Sequence, residues 1–354
     1  MRVIRRISAV LLGFVLFLSG IFKLMDPAGT QLIVEAYLNF LNIRFLAGIS
    51  GLLGSGLALS ETLLGAGLIT GVWRKIWAVV TGVLLGFFTL LTVLLYVRNP
   101  EMDCGCFGEA IRLTHGQSLL KNIVLLALWA LACLPLSKQG QTRKVKYVSF
   151  PIAAVSVVVF AVYSRMFIPL VDFTPFRQGT ELMLPEDIED PSDKRAPTLS
   201  ISDAAGEYVD ELLLSGQLLA VSVHAPEKLS ARQWTRTAAL MQEAAGLGYT
   251  PLLLVASTPA AMAATEGVPD GLAAHTFYAD RKKLLTLNRS NGGAVYISDG
   301  MIITKWAARR LPDTEKLEQL AGTDITESLL SENHGSRVKF QAFLLYVFAV
   351  MLLL

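Results

Sequence analysis

Three cysteines occur in the 354 residues, and two of them stand two positions apart in the run Asp103-Cys104-Gly105-Cys106. Glycine between them supplies the unusual backbone angles that so tight a ring needs. Ring strain makes a disulfide easier to reduce, so a redox-active dithiol is the leading reading of Cys104 and Cys106. Two other readings stay open. One is a structural disulfide that holds its loop. The other is a metal site with Asp103 and His115 as further ligands, since two thiolates and one imidazole form an incomplete zinc set. Cys133 lies about 15 residues, or ~22 Å, along a later apolar helix, and reads as a buried apolar cysteine. Glu61 is the other chemically conspicuous residue, because it sits inside an apolar Gly/Leu stretch. A carboxylate is costly in lipid, faces a bundle interior and is functional by default. Its bland rival is a protonated glutamate hydrogen-bonded to a neighbouring helix, at Thr89.

The elements that must position these residues are membrane helices. Hydrophobic residues make up 53% of the chain and charged ones 17%, with a mean hydropathy of +0.51, too apolar for a purely soluble protein. Five apolar stretches run over 7–25, 46–70, 76–97, 118–136 and 148–169. Each approaches or exceeds the ~20 residues that cross a bilayer as a helix, and lipid permits only helices or closed barrels. A sixth, Val338 to Leu354, is 17 residues long. The first is read as a retained helix, because it ends in Phe22-Lys23-Leu24-Met25-Asp26-Pro27 with no small-residue cleavage site. Small residues along the second stretch, and Gly82 and Gly86 on the third, suit close helix packing in lipid.

Charge separates two regions. Residues 1–170 carry 15 Lys/Arg against 6 Asp/Glu, whereas residues 171–354 carry 16 against 23. A basic membrane part and an acidic water-soluble part follow. The formal net charge of +2 gives no reason for a nucleic-acid partner. Three cysteines and four histidines exclude a disulfide scaffold, a zinc finger and a histidine-rich metalloenzyme. Basic residues cluster before the first helix (Arg2, Arg5, Arg6), between the second and third (Arg74, Lys75) and between the fourth and fifth (Lys138, Arg143, Lys144, Lys146). The positive-inside rule makes that side cytoplasmic. The N-terminus is then inside, and the cysteine loop and the region 170–336 face outward, where disulfides persist. The expected location is the inner (cytoplasmic) membrane, with a periplasmic soluble domain.

The run Phe17-Leu18-Ser19-Gly20-Ile21-Phe22-Lys23-Leu24-Met25-Asp26-Pro27, Glu61, and the run Asp103-Cys104-Gly105-Cys106-Phe107-Gly108 resemble the DoxX-like/MauE membrane family over about residues 1–136. The resemblance implies a four-helix core similar to the vitamin K epoxide reductase type of bundle. It also implies a thiol-redox or maturation role with a thioredoxin-like partner or an extracytoplasmic protein client. By analogy alone, a membrane quinone would be the electron partner. The whole layout looks like the Bacteroidetes-type fusion of such a bundle with a soluble insert.

Residues 172–195 are rich in Pro, Asp and Glu and read as a linker. Beyond them, strands at 218–223 and 251–256, an extended piece at 275–278 and a hairpin over 294–306 about Asp299-Gly300 alternate with helices at 229–247, 258–266, 280–288 and 313–320. That order matches a thioredoxin-like fold, with two departures. The segment His224-Ala225-Pro226-Glu227-Lys228 has no cysteine where thioredoxins carry Cys-x-x-Cys, and Gly292 stands where they carry a cis-proline. His224 is a candidate relic or a base serving another thiol, or else a solvated loop residue.

The fold class expected is therefore an α-helical polytopic membrane bundle with an inserted α/β thioredoxin-like domain. The bundle core covers 1–136, a fifth helix 137–170, a linker 171–195, the soluble domain 196–336 and a sixth helix 337–354. The function expected is thiol–disulfide redox or maturation through Cys104 and Cys106, with Glu61, Asp103, His115 and His224 as possible support. The alternative is a non-enzymatic membrane-anchored scaffold whose cysteines only staple a loop. A small-molecule carrier built on Glu61 is a third reading, weakened by the lack of visible inverted repeats.

Overall fold

A computed structural model describes residues 2–102, 104–111, 113–134, 142–188 and 196–354. Asp103, Lys138 and the linker residues 189–195 lie outside the described residues. The chain divides into two compact units, Met1–Arg165 with Ala342–Leu354, and Met166–Gln341.

The first unit contains α1 (Arg2–Met25), α2 (Pro27–Phe40), α3 (Ser50–Thr70), α4 (Arg74–Arg98), a short strand β1 (Cys106–Glu109), α5 (His115–Cys133) and α6 (Lys146–Met166). Among the described residues, five segments are long and apolar enough to cross a membrane. They are Val3–Met25, Arg44–Thr70, Arg74–Arg98, His115–Cys133 and Lys146–Met166. They correspond to the five stretches read from the sequence. α2 was not expected. Asp26 caps it by accepting a bond from the Gly29 amide at 2.9 Å, and Pro27 opens its first turn. Its 14 residues reach only ~21 Å, too short to span a bilayer. α3 stops at Gly71, whose φ of +73° lets its amide turn back to the Gly67 carbonyl.

α1 and α3 pack with their backbones in near contact. A Cβ added at Gly65 would fall on the Phe17 backbone and the Gly13 carbonyl, so only glycine lets the two helices meet here. Gly82 on α4 lies against the Trp129 ring, whose Nε1 donates to the Ala78 carbonyl at 2.7 Å. Gly56 and Gly86 differ from expectation: nothing lies within 4 Å of a Cβ at either. On the outer face of α4, Val83, Phe87, Leu90 and Val97 are exposed, as apolar side chains facing lipid would be. Arg5 donates to the Leu134 carbonyl, Arg6 to the Ile69 carbonyl and Arg74 Nε to the Gly71 carbonyl at 3.2 Å. The start of α1, the end of α3, the start of α4 and the end of α5 therefore share one end of the bundle.

The second unit is a mixed sheet with helices on it. Its strands are β2 (Ile201–Ser202), β3 (Gln217–Val223), β4 (Thr250–Val255), β5 (Thr276–Ala279), β6 (Gly293–Ser298) and β7 (Met301–Trp306), in the order β2-β5-β4-β3-β6-β7. β3, β4 and β5 run parallel, and the other pairings are antiparallel. Its helices are α7 (Ala231–Gly246), α8 (Pro259–Ala263), α9 (Arg281–Leu287) and α10 (Thr314–Gly322). β3 feeds both faces of the sheet: Leu219, Val221 and Val223 enter one apolar cluster, and Leu218 and Ala220 the other. α7 starts two residues later than expected, because Ser230 and Gln233 form a capping box. Its buried stripe is Trp234, Thr237, Leu240, Met241 and Ala244. The β6–β7 turn has positive φ at Asp299 (46°) and Gly300 (78°), as a two-residue hairpin requires.

Two expectations change. The stretch read as a linker is packed from 172 to 188: Phe176 and Leu182 are buried in the sheet's core, and Gly179 and Leu182 donate to the Ile302 and Gly300 carbonyls. Asp172 pairs with Lys305 at 2.7 Å. Burial alone would raise the Asp172 carboxyl, but the Lys305 ammonium outweighs it and holds the group below its ordinary value. The expected sixth helix is the tail of a longer one, α11 (Ile325–Leu353), whose first half is polar. α11 is not among the five helices apolar enough to span. Its end packs on α6, where Tyr346 stacks on Phe160 at 5.2 Å and Ser156 donates to the Tyr346 hydroxyl at 3.1 Å.

Replacing Gly65 with leucine should separate α1 from α3 and destabilise the bundle by about 1–3 kcal/mol. Gly56→Leu, in open space, should not. Thermal unfolding of the two full-length variants in detergent checks the contrast.

Candidate functional site

The end of the bundle opposite the arginines holds a buried ion pair. Lys23, near the end of α1, places Nζ 2.6 and 2.8 Å from the two carboxylate oxygens of Glu61 in the middle of α3. Both side chains are almost wholly buried, at 8% and 1% exposure. Ser19, one turn before Lys23, has its hydroxyl 2.8 Å from Glu61 Oε2 and 2.6 Å from the Cys106 carbonyl. Lys23 also lies 5.7 Å from the centre of the Phe88 ring on α4. Glu61 therefore does not bond to Thr89, whose hydroxyl donates to the Leu85 carbonyl of its own helix. The sequence reading missed Lys23 and Ser19. The signal was available: a buried carboxylate needs a cation, and Lys23 is the one basic residue between Arg6 and Arg44.

The cysteine loop sits on this pair. Gly105 has φ +60°, and a Cβ there would run into Ile33 of α2, so the turn needs glycine both for its backbone and for its fit. Hydroxyls from two helices grip its carbonyls: Tyr37 donates to the Cys104 carbonyl at 2.9 Å, and Ser19 to that of Cys106. Burial first, and the neighbouring cysteines next, push the Tyr37 phenol above its ordinary value, so it remains a donor. Cys106 Sγ lies 3.6 Å from the Ser118 hydroxyl on α5. Cys104 is 4% exposed, and Cys106 is half-buried. Lys121 Nζ stands 5.6 Å from the Phe107 ring centre, adding a cation beside the loop.

Behind the loop is a cavity of about 310 Å³ with mainly apolar walls. Cys104, Cys106, Lys23, Glu61 and Asn122 all contribute to its lining. The Asn122 amide donates to Thr92 Oγ1 at 3.0 Å and to the Phe88 carbonyl at 3.3 Å, while its own buried oxygen has no partner among the described residues. Residues 1–135 match the family model described as Methylamine utilisation protein MauE. This segment is of the MauE family. No curated protein and no solved structure matches the chain.

The MauE segment brings together Cys104, Cys106 and Glu61 from the sequence reading. His115 is placed differently. One ring nitrogen lies 3.1 Å from Asn99 Oδ1 and the other 3.0 Å from the Met102 carbonyl, so the imidazole ties the loop to the start of α5. Among the described residues no three His, Cys, Asp or Glu side chains are grouped as a metal would need; Asp103 lies outside them. Cys133 is buried in the apolar cluster of α1, α3, α4 and α5, away from the pair.

His224 belongs to the other unit and is not a solvated loop residue. Among the described residues neither of its buried ring nitrogens has a hydrogen-bond partner. Burial, then the charges of Arg281, Lys228 and Arg289, push it down to about 4, so it is neutral at pH 7. Asn291 holds the next residue at both ends, accepting from the Ala225 amide at 3.0 Å and donating to its carbonyl at 2.8 Å.

Two predictions follow from these charges. Glu61→Gln should leave Lys23 buried without a counter-charge and destabilise the bundle by about 3–5 kcal/mol, and Lys23→Met/Glu61→Gln should recover most of the loss; melting of the full chain in detergent measures both. The unfolded His224 titrates near 6.5 and the folded one near 4, so the folded state binds fewer protons between those values. Its stabilising effect is complete above pH 6.5 and is lost as pH falls toward 4, to the extent of about 3 kcal/mol. His224→Phe should flatten that part of the stability profile, read by tryptophan fluorescence in urea.

Proposed function

We propose that this protein is a membrane thiol–disulfide oxidoreductase in which Cys104 and Cys106 carry the electrons. The observation that carries the reading is that both cysteines line the apolar cavity beside the Lys23–Glu61 pair. A dithiol there reaches both the loop surface and a compartment suited to an apolar electron acceptor. The loop's attachments favour this over the staple reading. His115, Tyr37 and Ser19 already hold Asn99, Met102, Cys104 and Cys106 without a covalent link, and closing so short a ring constrains few residues of the unfolded chain.

A membrane quinone is the acceptor proposed for the cavity. The apolar walls fit a ring, the Lys23 ammonium would donate to an oxygen of the quinone, and Asn122 Oδ1 would accept from a hydroxyl of the reduced form. Such a group supplies a two-electron, two-proton sink. The chain's own part is to exclude water, hold the dithiol at the cavity wall and keep Lys23 and Glu61 paired.

The sheet-bearing unit is proposed as a thioredoxin-like docking module for a protein client or redox partner. Its support is the strand order β4-β3-β6-β7, with β3 parallel to β4 and β6 and β7 forming a hairpin. The missing Cys-x-x-Cys is matched by a second departure: Gly292 has φ +79°, which a proline ring cannot adopt. The unit is therefore read as a binding platform without thiol chemistry. The distribution of basic residues supports a cytoplasmic N-terminus in the inner membrane, with the cysteine loop and the soluble unit periplasmic.

Cys104→Ser and Cys106→Ser should each abolish turnover while the protein accumulates and melts normally. Thiol trapping in native membranes should show wild-type protein passing between dithiol and disulfide. The staple reading instead gives a permanently oxidised pair and residual function, and full activity of the double variant would sink the redox reading. The metal reading is tested by His115→Ala, which should affect loop stability only and be indifferent to chelators.

A further inference from the structure

We infer that the two cysteines are not equivalent: Cys106 is the exchange cysteine that meets a protein dithiol, Cys104 is the internal partner, and Ser118 is a positioning residue for the Cys106 sulfur. This rests on the redox reading above and deepens it.

The asymmetry has three sources. Cys104 is 4% exposed, with its carbonyl bonded to Tyr37 and its neighbour Gly105 pressed against Ile33. A thiolate on another protein must approach a disulfide sulfur in line, and a sulfur so enclosed offers no path. Cys106 is partly exposed, so the path exists there. Cys106 Sγ is also 3.6 Å from the Ser118 hydroxyl, a side chain that is fully buried in the first turn of α5 and so cannot move away. A serine hydroxyl both accepts and donates. It accepts from the Cys106 thiol and, after a rotation of its own proton, donates to the Cys106 thiolate. The N-terminal end of α5 favours the same negative charge.

The exchange then balances. A substrate thiolate attacks Cys106 Sγ of the Cys104–Cys106 disulfide. The sulfur–sulfur bond breaks, its electron pair goes to Cys104 Sγ, and that sulfur takes a proton. The substrate's second thiolate attacks the substrate sulfur of the mixed disulfide, forming the substrate disulfide and expelling Cys106 as a thiolate. Ser118 donates to this leaving group before it is protonated. The substrate loses two electrons, the pair gains them with two protons, and a quinone-class acceptor takes both electrons and both protons to restore the disulfide.

The test uses full-length protein in lipid nanodiscs, in a Cys133→Ser background with one remaining cysteine of the pair. A cationic methanethiosulfonate, and a peptide whose cysteine is activated as a thionitrobenzoate mixed disulfide, should react with Cys106 in Cys104→Ser about tenfold faster than with Cys104 in Cys106→Ser. Equal or reversed rates overturn the assignment. So does a Cys106 that reacts with membrane-soluble N-ethylmaleimide but with neither aqueous probe, since it would then face the cavity alone. Ser118→Ala should slow Cys106 labelling about tenfold at neutral pH, the gap should close at alkaline pH, and Ser118→Thr should restore the rate. A slowing equal at every pH would mean that Ser118 only packs. None of these measurements needs turnover, so they separate a failure of this assignment from a failure of the redox reading.

Discussion

A single buried ion pair, Lys23 with Glu61, governs the membrane unit. Either charge alone in the bundle would be very costly, and together they are tolerable only at hydrogen-bond distance with their remaining groups engaged. That distance forces α1 and α3 into backbone contact, and the glycines facing across the seam are what make the contact sterically possible. Ser19 then follows without freedom of its own. It lies one turn from Lys23 on the same face of α1, so it too points at Glu61, and its hydroxyl reaches the Cys106 carbonyl. The packing of two helices and the position of the cysteine loop are thus set by one electrostatic requirement.

The loop adds little rigidity of its own and borrows it from the helices. Tyr37 comes from α2, Ser19 from α1, and Ser118 and His115 from α5. α2 is too short to span, and its role becomes clear here: it lies against the loop, presents Tyr37 and Ile33 to it, and walls part of the cavity. A loop held from three helices keeps its two sulfurs in distinct surroundings whatever their oxidation state, so a difference in reactivity between them belongs to the scaffold.

Much of this was legible in the sequence, and what was not has physical reasons. The spanning helices show as long apolar runs because lipid demands them, and the β6–β7 hairpin shows because Asp299-Gly300 is one of the few dipeptides that turns so tightly. Glu61 announced itself by its cost. Its partner did not, because Lys23 is 38 residues away in sequence and at the end of an apolar run, where a lysine passes for an ordinary interface residue. Ser19, Tyr37 and Ser118 carry no local signal at all; a hydroxyl becomes functional only when folding places a carbonyl or sulfur beside it. The stretch 172–188 was misread because Pro, Asp and Glu recur along it and on through 195, while two apolar side chains, Phe176 and Leu182, decide its structure. His115 was weighed as a ligand beside two thiolates; that its ring nitrogens stand next to Asn99 Oδ1 and the Met102 carbonyl could not be read from the sequence.

The sheet-bearing unit differs from the membrane unit in its chemistry. It contains no cysteine, and the strand end at which a thiol would stand carries His224, desolvated and neutral among three cationic side chains. An imidazole whose pKa burial and cationic neighbours push down is a weak proton acceptor at neutral pH. Its burial is compatible with a recognition surface, because the Asn291 clamp on Ala225 makes the same loop rigid, and rigid loops bind with less entropy lost. Both closely spaced cysteines of this chain therefore lie in the MauE segment, and the sheet-bearing unit holds no thiol that could exchange with them.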